Sequence, residues 1–66
     1  MANVGDIVKI VSGPSRYIGY KAKVIAEIPF RQGNSYRVQI IIDGTETRII
    51  RHVAVKDCEL ITNENG

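Results

Sequence analysis

Asp43-Gly44 stands between two runs of alternating side chains, and no other feature constrains the fold of this chain as much. An Asp-Gly pair flanked by alternating residues is the strongest short-range signal for a two-residue β-hairpin, because the turn needs positive φ at both central positions. Ahead of it, Tyr36, Val38, Ile40 and Ile42 alternate with Arg37, Gln39 and Ile41. A hairpin here predicts Ile42 opposite Thr45, Ile40 opposite Thr47, Val38 opposite Ile49 and Tyr36 opposite Arg51. On the other face it sets Gln39 beside Arg48 and Arg37 beside Ile50, and the fourth strand is expected from Thr45 to Arg51.

The rest of the chain reads as short strands and turns. Ile7 to Val11 is β-branched, with Val8 and Ile10 on one face, and is stopped by Ser12-Gly13-Pro14. Ser15 to Gly19 is a polar loop in which Gly19 takes a positive φ or a close backbone approach. From Tyr20 onward, Ala22, Val24, Ala26 and Ile28 are expected inward, with Lys21, Lys23, Ile25 and Glu27 outward. Pro29 cannot donate to a ladder and ends this second strand. Phe30 to Asn34 is the next turn, tightest at Gly33-Asn34. His52 to Asp57 reads as a 3₁₀-like turn and Cys58 to Ile61 as a last strand. The predicted fold class is all-β: a small five-stranded antiparallel barrel with a short 3₁₀ turn before the last strand.

At 66 residues the chain is one domain, 1–66, with an ordered core expected over about 5–61 and a flexible tail at 62–66. A single cysteine, Cys58, excludes an internal disulfide, and a single histidine, His52, leaves no ordinary zinc site, so neither metal nor cofactor is expected. No apolar run approaches the length of about 20 residues needed to cross a bilayer, and Met1 to Val4 lacks signal-peptide character. A cytoplasmic, reducing setting is therefore the default expectation. The formal charge of +2 is mildly basic, so the distribution of charge matters more than its total.

Gly5-Asp6-x-Val8-x-Ile10-x-Ser12-Gly13-Pro14, followed by Gly19-x-x-Ala22-x-Val24, resembles the KOW motif of SH3-like barrels in ribosomal proteins and transcription elongation factors. Tyr36-x-Val38, the Asp43-Gly44 hairpin and Val55-x-x-Cys58-x-Leu60 resemble the remainder of such a barrel, so the likeness spans roughly 5–61. The loop between Gly13 and Gly19 is longer than is usual in that family, and Ala22 stands where the family carries glycine. The resemblance implies an SH3-like barrel that binds RNA or a ribonucleoprotein. Small SH3-like subunits of photosynthetic complexes are also similar in size and turn layout, with a comparable ending around Val53 to Leu60, which implies docking into a protein assembly.

No nucleophile, activated base and orienting partner stand out together, so an enzyme is not expected. Cys58 reads as a small core residue and His52 as a surface residue at a strand end. Ser12-Gly13-Pro14 leads into no helix and is no phosphate loop. The candidate nucleic-acid contacts are Arg16, Tyr17 and Tyr20 in the first loop and Lys21, Lys23, Arg37 and Arg48 on the outer sheet face; Phe30 and Arg31 add an aromatic and a base in the second loop. Basic groups beside exposed aromatics suit phosphate contact with base stacking. The competing reading is that these charges only keep the outer face wet, and that each tyrosine plugs the barrel, as Tyr36 is expected to. Ile25, Ile41 and Ile50, with Phe30, form the alternative candidate: an outward apolar patch for a protein partner.

Overall fold

The computed structural model describes residues 2–61, so the tail expected at 62–66 lies outside the described residues. The elements are β1 (Ile7–Ile10), β2 (Lys21–Ile28), β3 (Ser35–Ile42), β4 (Thr45–Ala54), a 3₁₀ turn (Val55–Asp57) and β5 (Cys58–Ile61). They make one antiparallel sheet in the order β4-β3-β2-β1-β5. The all-β, five-stranded, antiparallel expectation holds, as does the 3₁₀ turn before the last strand. Among the described residues no ladder joins β4 to β5, so the sheet is open by its hydrogen bonds.

Val8, Ile10, Ala22, Val24, Tyr36, Val38, Ile40 and Val53 fill the core together with Ala2, and among the described residues no polar or charged one is buried. Tyr36 is 2% exposed and its hydroxyl accepts the Ala2 N–H at 3.3 Å, which is the inward tyrosine read from the sequence. Ala22 is fully buried in the regular part of β2 and is not among the positive-φ residues, so it fills a tight packing position without backbone strain. Asp6 closes the entry turn: its Oδ2 accepts the Asn3 N–H at 2.9 Å while its own N–H donates to the Asn3 carbonyl at 2.9 Å.

The hairpin forms, with Asp43 at φ 52° and Gly44 at φ 76°, but its register holds only for the first two pairs, Ile42 with Thr45 and Ile41 with Glu46. Beyond them Ile40 faces Thr47, Arg48 and Ile49 together. Gln39 then pairs with Ile50 rather than lying beside Arg48, Val38 pairs with Arg51, and Tyr36 pairs with Val53. Side chains stabilise this bulge. The Thr47 hydroxyl donates to the Ile40 carbonyl at 2.7 Å and accepts the Ile49 N–H at 3.1 Å, while Gln39 Nε2 donates to the Thr47 carbonyl at 2.7 Å. A slip of two residues keeps every β4 side chain on its face. Its effect is to bring Val53, not Arg51, against the buried Tyr36. The same slip extends β4 to Ala54, correcting the expected turn: His52 to Ala54 pair with Arg37 to Ser35, and only Val55–Asp57 is 3₁₀.

A second bulge corrects the expected alternation of β2. Val24 pairs with Val38 but Ala26 pairs with Arg37, leaving Ile25 unpaired. The strand alternation therefore reverses, and Ala26 and Ile28 share a face with Arg37 and Ser35 instead of the core. The bulge sits where β2 loses its other neighbour. The last bonds to the β1 side are Val24 N–H to the Asp6 carbonyl at 2.9 Å and Gly5 N–H to the Val24 carbonyl at 2.8 Å.

The first loop, 11–20, is tied to the 3₁₀ turn. Val11 N–H donates to the Asp57 carbonyl at 2.8 Å, the Ser12 hydroxyl donates to Asp57 Oδ1 at 2.7 Å, and Tyr17 packs against the core. Gly13, at φ 94°, lies so close that an added Cβ would collide with the Asp57 carboxylate, whereas the space beside Gly19, at φ 92°, is open. Both positions cost an alanine about 1 to 2 kcal/mol of backbone strain. Gly13→Ala should therefore lower the urea midpoint clearly more than Gly19→Ala. Equal losses would mean that the Asp57 latch yields freely.

Candidate nucleic-acid interface

Antiparallel partners share a face, so the pairings map the outer side of the sheet row by row. One row runs Glu59, Lys9, Lys21, Ile41, Glu46; the next runs Ile61, Ile7, Lys23, Gln39, Ile50; a third holds Ala26, Arg37 and His52. Lys21, Lys23 and Arg37 thus lie on one surface, as their alternation predicts. Lys9 joins them and was missed, because only the β1-β2 pairing sets it beside Lys21. The face holds four Lys and Arg in these rows against Glu46 and Glu59, an excess equal to the formal charge of the whole chain.

Not all of this charge is free. Lys23 Nζ lies 3.3 Å from Glu46 Oε2 across the sheet, an exposed pair worth only a few tenths of a kcal/mol or so. Arg37 Nε donates to His52 Nε2 at 3.2 Å, which requires that nitrogen to be unprotonated. Arg48 is exposed on the bulge of β4, off the regular rows.

The first loop gathers the aromatic candidates at the end of the sheet that also carries the Asp43-Gly44 hairpin. Tyr17 and Tyr20 pack edge to face, with ring centroids 5.4 Å apart, and the Arg51 guanidinium lies 5.5 Å from the centre of the Tyr17 ring. Arg51 was missed because the expected register placed it against Tyr36; the bulge on β4 carries it to Val38 and so to Tyr17. Two clefts flank this pair. One, of about 660 Å³, lies between loop and hairpin and is lined by Ile18, Tyr20, Lys21, Ile41 and Asp43. The other, of about 480 Å³, is lined by Ser12, Arg16, Tyr17, Arg51 and Asp57.

Phe30 and Arg31 belong to neither cleft. Phe30 is 57% exposed in the β2-β3 turn, at the opposite end of an eight-residue strand spanning about 25 Å. The isoleucines are also less gathered than expected. Ile41 and Ile50 share the outer face on neighbouring strands, Ile50 being 39% exposed, but Ile25 is half-buried in its own bulge on β2, with β3 between it and β4. Ile7 and Ile61 are the outward isoleucines that alternation alone did not single out.

Among the described residues no three His, Cys, Asp or Glu side chains gather as a metal site, and no helix is long and apolar enough to cross a membrane. Cys58 is half-buried beside the core, and its thiol is pushed up from 9.0 to about 11, first by burial and then by the Asp57 carboxylate. Folding therefore favours the neutral thiol. Its contribution to stability is fully present below pH 9 and is lost as pH rises towards 11. Cys58→Ala should flatten that part of the stability curve relative to the parent, while at pH 8 a thiol reagent should react slowly with the parent until urea unfolds it. A fast reaction in the folded state would contradict the shift.

Comparison of the chain with protein-family models, with curated proteins and with solved structures returned no significant match.

Proposed function

We propose that the chain is a non-catalytic binding module, an SH3-like barrel of KOW type, that binds RNA or a ribonucleoprotein through the outer face of its sheet and the adjoining Tyr20. The observation that carries this reading is that Lys9, Lys21, Lys23 and Arg37 lie on one surface, with Tyr20, 39% exposed, lining a cleft with Lys21 and Ile41 of that surface. Released counterions make such a surface attractive to a polyanion, and an exposed ring gives an unpaired base something to stack on. The architectural part is supported by the meander of β1 to β4 with β5 returning to β1, by the first loop lying across the core, and by Ala22 packing where the KOW pattern has glycine.

A second reading is favoured by Ile7, Ile41, Ile50 and Ile61, which interrupt the basic rows. In that case the same face docks onto a protein assembly, with the lysines at its rim. Recovery of one defined protein after nuclease treatment would select this reading.

Filter binding to single-stranded RNA at several salt concentrations tests the first. Four phosphate contacts correspond to a slope of log K against log salt of about −3. The double variant Lys9→Gln, Lys21→Gln should weaken binding and lower that slope by about 1 or more. No binding at low salt, or a slope unchanged by the variant, would overturn the proposal.

A further inference from the structure

We propose that the 480 Å³ cleft between the first loop and the 3₁₀ turn is a second, independent site, and that it holds a nucleoside phosphate. It lies off the outer face, since Arg51 and Tyr17 are on the core side of the sheet. It does not rest on the RNA reading.

Two guanidinium groups, Arg16 and Arg51, line the cleft, and neither forms a salt bridge among the described residues. Arg51 uses one donor, Nη1, on the Ile50 carbonyl at 2.7 Å, and keeps the rest of its fork. A fork of this kind matches phosphate oxygens in pairs. The Ser15 hydroxyl accepts the Tyr17 N–H at 2.9 Å, so its own proton is free to donate.

The opposite charge is also present. Asp57 lines the same cleft, held in place by Ser12 and the Val11 N–H. A bare anion would gain from the arginines and lose to this carboxylate. A ligand with an anionic end and amino donors on a planar end gains from both, and its ring can lie against the Arg51 and Tyr17 planes. The volume points the same way, because about 300 to 1,000 Å³ is the range of small-molecule sites and a lone phosphate would leave most of this space unfilled. The walls are prearranged, since the Asp57 bonds and the close approach at Gly13 set the loop against the turn.

The shared chemistry is that of a nucleotide, free or at the end of a strand. The test follows amide and arginine Nε resonances during titration, at fixed ionic strength, with adenosine monophosphate, inorganic phosphate and adenosine. Adenosine monophosphate should bind saturably and about tenfold tighter than either other probe, shifting residues 12–17 and 51–54. Arg16→Gln should weaken it about tenfold, with an unchanged urea midpoint because Arg16 is exposed. Lys21→Gln, on the outer face, should leave it unchanged.

Adenosine binding as tightly as its monophosphate, shifts confined to the lysines, an unaffected Arg16→Gln or no saturation would each overturn the proposal, without bearing on RNA binding by the sheet. Short oligoribonucleotides with 5′-phosphate or 5′-hydroxyl ends then separate the sources. A preference for the phosphate supports the site as a strand-end site, and no preference supports it as a site for the free nucleotide.

Discussion

A sheet of five short strands with one apolar face has nothing to cover that face unless the chain covers it itself. With one cysteine no internal disulfide is possible, and among the described residues there is no α-helix to form a second layer. The first loop and the 3₁₀ turn take that role, and they are joined by Asp57. Its carbonyl accepts the Val11 N–H and its carboxylate accepts the Ser12 hydroxyl, while Gly13 passes with no room for a side chain. Because the latch holds the loop, Tyr17 stays on the core and Tyr20 stays against it, in the cleft with Lys21. The 480 Å³ cleft, lined by Ser12 and Asp57, is a by-product of that closure.

The two bulges are the other devices on which the surface depends. A regular β3-β4 ladder would have set a charged Arg51 against the buried Tyr36. The slip of two residues brings Val53 there instead and hands Arg51 to Tyr17, so one irregularity improves the core and assembles the guanidinium-aromatic pair. Thr47 and Gln39 make this tolerable, because their side chains take bonds that the interrupted ladder gives up. The bulge at Ile25 falls at the point where β1 no longer accompanies β2, and it reverses which side chains of β2 share the outer face.

Those same devices mark where reading the sequence reached its limit. Asp43-Gly44, Pro29 and the alternation of Ile7 to Ile10, Lys21 to Val24 and Tyr36 to Ile42 carry local rules, and each of these elements appears as expected. The bulges obey no local rule. Thr47 and Gln39 are ordinary outer-strand residues until they meet across the hairpin, and Ile25 continues a regular alternation on paper. Lys9 and Arg51 escaped notice for a related reason: strand order or register alone brings each to its neighbours. Phe30 is the converse case, a plausible partner by type that the antiparallel connection sends to the far end.

Solvation and binding ask for different arrangements of charge on the outer face. A face that only needs to stay wet can mix its signs freely, and the rows near the hairpin partly do, with Glu46 on Lys23 and Glu59 opposite Lys9. Lys21 has no such neighbour in its pairings; it stands between Lys9 and Ile41, with Tyr20 next to it in the chain. Two adjacent lysines repel each other in the free protein, a small standing cost that a solvated surface gains nothing from. A polyanion laid across them reverses the sign of that term. The Lys9-Lys21 pair is thus the point on the outer face where binding and bare solvation make opposite demands.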